Sequence, residues 1–483
     1  MDKIEVDWLK RWALYSPQAI AFKDIDTSIE YTYARCFSLA NHLAKSLRDQ
    51  YDIKDGDRVA VLATNHIETV FLYFALMRLG AILVPMNYRL APRELDHILG
   101  DSAASLLIYE KSFTESLEKL GHRPHHVLEF EKLRELCKPD KSGHKKEDEE
   151  IKFQGSFESV CQILYTSGTT GAPKGAMLTH KMLFWNSINT GLRLNLKQED
   201  VTVTFSPLFH TGGWNVLMTP FLHRGAKVVF MKGFDAEMVL KTCEQEQVTI
   251  FFGVPTTLDM MAKAQLFSRV NLQSVRYAIV GGEPMPIPLI RQWVDKGIPI
   301  RQGYGLTEFG PNVFSLNEEH AISKSGSIGF ANLYTDVQVI DDQGCEVEAG
   351  LVGELILRGP MCMAGYWQNE KATVETIRDG WLYTGDLVRQ DEDGFFYVVG
   401  RKKDMFISGG ENVYPIEVEK FLLTHTQIRE VAVVGVKDEK WGEVGKAFIV
   451  AEKNSELTQE ELVEFCRGQL ARFKTPKHFQ FLA

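Results

Sequence analysis

The segment Tyr165–Gly175 combines glycines, hydroxyl side chains and a lysine in the order Tyr-Thr-Ser-Gly-Thr-Thr-Gly-Ala-Pro-Lys-Gly. Glycines allow tight backbone bends, so the N–H groups of such a loop can surround a phosphate chain while Lys174 supplies a positive charge. The segment is not a Walker A loop, because Pro173 and Gly175 stand where that pattern needs Gly before the lysine and Ser or Thr after it. Alone, such a segment is more often a surface turn, so its function depends on other segments.

Two further clusters each follow an apolar run that we predict to be a strand. Phe205–Trp214 places His210 among aromatic and small residues, which suit the lining of a pocket. Gly281–Pro284 puts two glycines at the carboxyl end of a strand, where a planar ligand can approach the backbone. In isolation, His210 is more often a structural histidine, and the glycine pair is equally well explained as a plain turn.

The segment Gln302–Glu308 reads Gln-Gly-Tyr-Gly-Leu-Thr-Glu and follows a short predicted strand. Tyr304 could stack on an adenine, Thr307 could hydrogen-bond a phosphate, and Glu308 could hold Mg²⁺ that bridges phosphate oxygens. This spacing of aromatic, hydroxyl and carboxylate groups is more specific than glycine richness, and it favours a nucleotide site.

The chain beyond residue 380 adds three segments, Trp381–Asp386, Gly400–Asp404 and Ser408–Pro415. A carboxylate such as Asp386 can accept hydrogen bonds from both hydroxyls of a ribose, and Arg401 can add a charged hydrogen bond there. A lone aspartate in a turn is normally a local cap, so this interpretation depends on the other segments.

The elements that must position these residues alternate between apolar strands and helices, which predicts a parallel sheet covered on both faces. The predicted strands are 58–63, 81–85, 106–109, 161–165, 201–205, 227–231, 248–252, 277–280 and 298–301, and the predicted helices are 31–50, 66–79, 235–246, 255–264 and 286–296. Shorter β segments follow at 337–340, 353–357 and 395–399, and then a small α+β unit with helices 415–424 and 458–472 and strands 430–435 and 446–450. The polar stretch 137–152 predicts a solvated linker.

Composition narrows the class of protein. The chain has 483 residues, of which 45% are hydrophobic and 24% charged, with a net charge of −10 that argues against a general nucleic-acid binder. The seven cysteines form no CxxC pair, so we expect reduced core residues of a cytoplasmic protein rather than a metal site.

We expect no signal peptide. We also expect no transmembrane segment, because the apolar stretch Val70–Met86 falls short of about 20 residues and Arg78 interrupts it. Peripheral membrane contact stays open.

With these segments in this order, the sequence resembles the adenylate-forming superfamily, whose members include acyl-CoA synthetases, beetle luciferases and peptide-synthetase adenylation domains. Its core motifs are matched by Gly80–Asn87, Tyr165–Gly175, Tyr304–Glu308, Tyr383–Asp386 and Gly400–Asp404. The resemblance covers nearly the whole chain. It implies an α/β fold with a large N-terminal domain of layered α/β subdomains plus a β-rich subdomain, followed by a small mobile α+β C-terminal domain.

The resemblance also implies the activity. Such enzymes let a carboxylate attack the α-phosphate of Mg²⁺-bound ATP, which gives an acyl-adenylate and pyrophosphate, and the thiol of coenzyme A then displaces AMP. The expected domains are 1–400, which binds ATP and the acyl substrate, and 401–483, a mobile domain that looks truncated. A homodimer is compatible with the sequence but has no specific support in it.

By the family's pattern, Thr166 and Glu308 are the expected Mg²⁺ partners and Thr307 touches the α-phosphate. His210 is expected beside the substrate carboxylate, where it gates the acyl pocket. The nucleotide is expected to contact Thr166, Ser167, Gly168, Thr169, Thr170, Gly171 and Lys174 at the phosphates, Gly282, Glu283, Pro284, Gln302 and Tyr304 at adenine, with Gly303 and Gly305 in the same segment, and Asp386 and Arg401 at the ribose.

Lys403 occupies the family's hinge position, about which similar enzymes rotate the C-terminal domain between half-reactions. Together with His210, Thr307 and Glu308, it completes the expected catalytic set. Ser408, Gly409, Gly410 and Glu411 are expected to line the entry of the coenzyme A thiol, because a pantetheine arm needs a narrow path past backbone.

One departure from the family concerns the C-terminus. The family's adenylation lysine lies in a Gly-Lys motif that should begin just beyond Ala483, and Lys474 and Lys477 match only the segment upstream of it. No residue is therefore assigned to that role. We expect the chain as given to bind ATP but to be impaired in forming the adenylate.

The acid is less well specified. Phe209, Trp214, Phe251 and Phe252 suggest an apolar pocket near His210, which favours a medium- or long-chain fatty acid over an aryl acid. Position 214 and its neighbours carry no acidic anchor for an α-amine, which argues against an amino acid. The alternatives are an aryl-acid or other CoA ligase, an acyl-adenylate enzyme serving a carrier protein or oxygen, and a non-catalytic nucleotide-binding module.

Overall fold

The computed structural model describes residues 6–138, 150–166, 173–408, 411–453, 455, 457–467 and 469–482. The chain divides into two compact units. The first comprises Met1–Asp336 and Arg358–Leu382, and the second comprises Val337–Leu357 and Tyr383–Ala483. The predicted functional boundary after residue 400 stays a prediction.

The first unit contains most of the helices and three sets of strands. Its helices are α1 Trp8–Tyr15, α2 Tyr33–Tyr51, α3 Ile67–Leu79, α4 Pro92–Ser102, α5 Thr114–Glu118, α6 Phe130–Leu136, α7 His180–Arg193, α8 Thr211–Asn215, α9 Met218–Arg224, α10 Ala236–Gln245, α11 Pro255–Lys263, α12 Ile287–Asp295 and α13 Glu370–Thr376. Its strands are β1 Ile20–Asp24, β2 Ile29–Thr32, β3 Arg58–Leu62, β4 Ile82–Pro85, β5 Leu106–Tyr109, β6 His126–Glu129, β7 Val160–Thr166, β8 Lys174–Thr179, β9 Val201–Thr204, β10 Lys227–Phe230, β11 Ile250–Gly253, β12 Tyr277–Val280, β13 Ile300–Leu306, β14 Gly310–Leu316 and β15 Ser327–Ala331.

These strands form layered sheets of mixed direction. One sheet has the order β6-β5-β3-β4-β7-β8, another has the order β2-β1-β10-β9, and a third set runs β11-β12-β13-β14-β15. Parallel pairing joins β3 to β4 and β5, β9 to β10, and β11 to β12 and β13. Helix α3 is apolar on all sides and is buried except at Glu68, as expected for a helix enclosed by other elements. The predicted layered α/β architecture is thus confirmed.

The second unit is β-rich. Its elements are β16 Asp336–Ile340, β17 Val352–Arg358, β19 Trp381–Gln390, β20 Phe396–Arg401, β21 Phe406–Ser408, β22 Glu411–Val413, α14 Pro415–Leu422, β23 Ile428–Asp438, β24 Gly442–Ala451, α15 Gln459–Cys466 and β25 His478–Leu482. The short strand β18 Ile377–Arg378 belongs to the first unit, where it pairs with Trp381 and Leu382 at the start of β19. The strands follow the orders β20-β19-β17-β16 and β22-β21-β24-β23, and β25 pairs in parallel with β24.

Several predicted elements have slightly different bounds in the structure, and two of them differ by five residues or more at one end. The strand predicted at 298–301 runs Ile300–Leu306, so Gln302 to Gly305 lie on the strand itself, which pairs with β14 on one side and β12 on the other. The helix predicted at 458–472 ends at Cys466, because Arg467 turns to an extended conformation. Most of the predicted linker, 139–149, lies outside the described residues. Within the described residues, no helix is long and apolar enough to cross a membrane.

Candidate functional site

The side chains of Thr166 and Glu308 meet although they are 142 positions apart in the chain. Thr166 is the last residue of β7, and its hydroxyl donates a hydrogen bond to Glu308 Oε1 over 3.2 Å. Glu308 lies in the short 3₁₀ turn Thr307–Phe309, which joins β13 to β14. The tip of this hairpin therefore lies against the strand that leads into the Thr166–Lys174 loop.

Tyr366 completes this cluster, and sequence reasoning did not identify it. Its hydroxyl donates to the same oxygen, Glu308 Oε1, over 3.0 Å. The Lys174 ammonium lies 5.4 Å from the centre of the Tyr366 ring, within the range of a cation–π interaction. A backbone bridge from Tyr366 to Ala176 on β8 holds it there. The contact between Tyr366 and Glu308 cannot be predicted from residue spacing, because it depends on how the segment after β17 folds back onto β8.

The arrangement suits a hard divalent cation whose remaining ligands come from a nucleotide. Mg²⁺ prefers oxygen ligands and usually keeps only one or two protein carboxylates beside phosphates and water. Thr166 and Glu308 supply one hydroxyl and one carboxylate at hydrogen-bond distance from each other. No group of three or more His, Cys, Asp or Glu side chains that could enclose a metal occurs among the described residues. The donor set thus fits a nucleotide-bound Mg²⁺ rather than a cation held by protein alone.

A cavity of about 300 Å³ is lined by the residues that the sequence predicts to contact the substrate carboxylate and the α-phosphate. Thr166, His210 and Thr307 all line it, and they come from three segments that are distant in sequence. The remaining wall is formed by Pro85, Asn87, Leu90, Glu94, Ile98, Leu164, Tyr165, Pro173 and Phe209. The first unit therefore brings these predicted site residues to one place.

His210 lies at the N-terminus of the short helix α8, where its own backbone is extended. The imidazole reaches solvent at the cavity, yet the pKa of His210 is lowered, mainly by partial burial and then by the positive charge of Arg89. The ring also lies 4.5 Å from the ring of Phe209. His210 is therefore neutral at physiological pH, and it can take part in hydrogen bonds as a donor or an acceptor.

The segment predicted to contact adenine is organised by Gln302, whose side chain is buried. Its amide nitrogen donates to the carbonyls of Glu283 (3.0 Å) and Val280 (3.2 Å), and its oxygen accepts from the N–H of Met285 (3.1 Å). Gln302 thus fixes the loop containing Gly282, Glu283 and Pro284. The loop needs a glycine where φ reaches +85°, at Gly282.

The neighbouring hairpin presents Tyr304. Its half-buried ring packs edge-on against Phe314 of β14 with centroids 5.8 Å apart. A Cβ at Gly305 would come within 2.2 Å of the Pro311 carbonyl, so only glycine permits the two strands to approach here. Gly303 lies on the same strand. The residues predicted to contact adenine thus lie on β13 and in the loop that follows its neighbour β12.

Three of the four aromatic residues expected to form an acyl pocket are buried; of these, Phe209 still lines the cavity, and the other two are in the core. Trp214 is fully buried and packs 5.4 Å from Tyr73, and Phe251 is fully buried against Trp293. Phe252 is half-exposed. Its ring edges lie 3.4 Å from where Cβ atoms would stand on Gly212 and Gly281. The expectation that Trp214 and Phe251 line a pocket was wrong, because their strands and helix turn them toward the interior.

In the second unit, the predicted ribose residues form an ion pair. Asp386 and Arg401 face each other on β19 and β20, with Arg401 Nε 2.6 Å from Asp386 Oδ1. Asp386 is buried, whereas about half of the Arg401 side chain is exposed. The backbone of Asp386 is held in turn by Thr384, because the N–H of Asp386 donates to Thr384 Oγ1 over 3.0 Å. Arg401 thus fixes one carboxylate oxygen in a charged hydrogen bond.

The residues predicted for the hinge and the thiol entry follow directly. Lys403 is exposed just after β20, and Ser408 is buried on β21, where it pairs with exposed Glu411 on β22. The predicted residues Ser167, Gly168, Thr169, Thr170, Gly171, Gly409 and Gly410 lie outside the described residues.

Comparison with known proteins gives one consistent result. Residues 9–367 match the family model described as AMP-binding enzyme, and residues 417–483 match the model of the AMP-binding enzyme C-terminal domain. The chain is 39% identical to a feruloyl-CoA synthase of Amycolatopsis sp., over 98% of this chain and 94% of that protein. It is 35% identical to the long-chain-fatty-acid–CoA ligase FadD13 of Mycobacterium tuberculosis, over 99% and 94%. The o-succinylbenzoate coenzyme A synthetase of Bacillus subtilis, solved with ATP and a magnesium ion, superposes with a TM-score of 0.86 at 30% identity, covering 99% of this chain and 95% of that one.

Proposed function

Because the chain belongs to the AMP-binding enzyme family, within which its relatives are CoA ligases, we propose that it activates a hydrophobic carboxylic acid with ATP. The acyl-adenylate then reacts with coenzyme A, and AMP and pyrophosphate are released. The observation that carries the proposal is the contact of Thr166 with Glu308, beside the cavity that Thr166, His210 and Thr307 line. In this proposal, the pair Thr166 and Glu308 binds the cation, and His210 lies on the same cavity as Thr166.

The difficulty of the first half-reaction is that two anions, a carboxylate and a triphosphate, must approach each other. When bound, Mg²⁺ supplies positive charge on the phosphate oxygens. Thr166 and Glu308 would hold it, and Lys174 would lie along the β and γ phosphates. Thr307 would donate to the α-phosphate. His210, being neutral, would orient the carboxylate without holding it in a tight ion pair, so the attacking oxygen keeps its electron density.

The nucleotide's other parts have separate partners in this proposal. Tyr304 offers a ring face to adenine, and Gln302 acts by holding the loop Gly282–Pro284 in place. Asp386 would accept hydrogen bonds from both ribose hydroxyls, since a carboxylate has two acceptor oxygens. Arg401 would then orient the carboxylate.

For the second half-reaction, we propose Lys403 as the hinge residue. Its exposed position just after β20 leaves the side chain unconstrained by core packing. Ser408 and Glu411, together with Gly409 and Gly410, would line the path of the pantetheine thiol. The homodimer and the cytoplasmic location remain predictions from sequence.

The finer identity of the acid has two candidates. Two of the four aromatic residues behind the fatty-acid prediction are buried in the core, which weakens that choice. An aromatic acid is favoured by the named activity of the feruloyl-CoA synthase relative and by half-exposed Phe252 beside Gly281. We therefore propose an aryl-substituted acid first and a medium- or long-chain fatty acid second.

The experiment is a panel of hydroxycinnamic, aryl-dicarboxylic and fatty acids with ATP and coenzyme A, run on the full-length protein. Thioester formation and AMP release are measured together, with E308A as the control that should abolish both. Adenylate that accumulates and is not released by coenzyme A would favour transfer to a carrier protein. Binding of ATP, AMP and coenzyme A without turnover of any acid would favour a non-catalytic module and contradict the proposal.

A further inference from the structure

Asn65 holds the loop that presents His210, although nothing in its own segment suggests a role in the site. Asn65 lies in the turn between β3 and α3 and is buried. Its amide nitrogen donates to the carbonyl of Ser206 over 2.9 Å, and its amide oxygen accepts from the N–H of Leu208 over 3.0 Å. One side chain thus bonds two backbone groups that are two residues apart, as a neighbouring strand would.

The loop needs such a partner because it runs through the interior without a sheet ladder. Leu208 and Phe209 are buried, and a buried backbone group without a hydrogen bond costs free energy. On the far side, the indole N–H of Trp214 donates to the carbonyl of Leu208. A Cβ at Gly213 would lie 2.4 Å from the Pro207 carbonyl, so the helix that follows packs directly on the loop. The backbone leading to His210 is therefore held from both sides.

Asn65 is itself anchored, through its two neighbours, by Glu110 at the end of β5. Glu110 Oε2 accepts from the N–H of Thr64 (2.9 Å) and from its hydroxyl (2.6 Å), and it lies 3.2 Å from His66 Nε2. Burial raises the pKa of Glu110, but these hydrogen bonds outweigh it and leave the pKa at about 2, so the carboxylate is charged under working conditions. Arg134 holds the other ring nitrogen of His66 at 2.9 Å.

We propose that Asn65 is a positioning residue for acyl activation, which fixes the Ser206–Leu208 backbone so that His210 points at the substrate carboxylate, with Glu110 as the anchor of the Thr64–His66 turn. This inference rests on the proposed role of His210. It predicts a loss in the acid-dependent step while nucleotide binding is retained, because no contact of Asn65 involves the Thr166–Glu308 cluster.

The test uses N65L, which removes both hydrogen bonds and keeps the branching of the side chain at Cγ, and N65D, which keeps the acceptor and loses the donor in case N65L does not fold. N41L is the matched control, since Asn41 is also buried and its amide oxygen accepts from a backbone N–H, that of Ile151. We expect a 10- to 100-fold lower kcat/KM for the acid in N65L, a smaller loss in E110Q, MgATP affinity within twofold of wild type, and less than a threefold change of both quantities in N41L.

A double-mutant cycle with H210A separates positioning from general destabilisation. If Asn65 acts through His210, N65L should add little to the loss already caused by H210A. An equal additional loss in that background, or a parallel fall in MgATP affinity, would overturn the inference.

Hydrogen exchange keeps the inference separate from the proposed function. Peptides covering 205–210 should exchange faster in N65L than in wild type or N41L. If exchange is faster in N65L but the protein ligates no acid, the proposed function is contradicted, and the role of Asn65 in catalysis is contradicted with it. If exchange is unchanged in N65L while the wild-type enzyme is active, only the inference about Asn65 is contradicted.

Discussion

Replacing Glu308 by glutamine should weaken ATP binding only when Mg²⁺ is present. Glutamine keeps an acceptor oxygen of the same shape, so the hydroxyls of Thr166 and Tyr366 can still donate to it. Each of these hydrogen bonds loses its charged acceptor, which amounts to roughly 1 kcal/mol. Because Glu308 is half-exposed, we expect the folding free energy to fall by less than about 2 kcal/mol, so the variant should remain folded.

The effect on the metal should be larger. Residues that support a metal ligand by hydrogen bonding typically change metal affinity by about 10- to 100-fold. Tyr366 contacts Glu308 in this way, so Y366F should raise the Mg²⁺ concentration needed for ATP binding by about 10-fold. Glu308 is the proposed ligand itself, and E308Q should raise that concentration by about 100-fold or more, which corresponds to at least ~2.7 kcal/mol.

The assay is calorimetric titration of ATP at a series of Mg²⁺ concentrations, and it does not require turnover. Without Mg²⁺, E308Q should bind ATP as well as wild type or better, because a carboxylate repels phosphate. The diagnostic result is that E308Q binds ATP more weakly than wild type when Mg²⁺ is present, but no more weakly when Mg²⁺ is absent. If E308Q lowered ATP affinity equally with and without Mg²⁺, Glu308 would be a structural residue and the magnesium assignment would be refuted.

Three further outcomes are expected. D386N removes the charge that pairs with the β20 arginine and should weaken ATP and AMP binding together, measured by calorimetry; a change confined to the affinity for the acid would contradict the ribose role. D7N leaves the guanidinium of Arg78 buried without its 2.7 Å ion pair, so urea unfolding should show a loss of about 3–5 kcal/mol, and a loss below 1 kcal/mol would contradict this. Burial lowers the pKa of His180 and His223 to about 4. As the pH falls below about 6.5, the ordinary pKa of histidine, the unfolded chain therefore binds protons before the folded protein does. Each of the two histidines should thus lower the free energy of unfolding by about 2 kcal/mol at pH 5. The free energy of unfolding of H180L should depend less steeply on pH than that of wild type.

Much of the site could be predicted because its chemistry is local in sequence. The glycines, hydroxyls and lysine of Tyr165–Gly175, and the Thr-Glu pair at Thr307 and Glu308, need specific residue types at fixed short spacings. The structure brings Thr166 and Glu308 within hydrogen-bond distance, whereas their role as a pair that shares one cation stays a prediction. The boundaries near them were less predictable: Gln302–Gly305 lies on a strand rather than after one, because pairing with β14 extends the strand beyond its apolar part.

The sequence by itself determined the family, most of the apolar strands of the layered α/β architecture, and the segments proposed to bind nucleotide, because burial periodicity and turn chemistry act within about ten residues. Only the tertiary structure decided which aromatic side chains are core, and it placed Tyr366 on Glu308 and Asn65 on the His210 loop. The last two contacts join positions separated by 58 and more than 140 residues. Such pairs depend on how sheets and loops pack, and no local pattern in the chain encodes that packing.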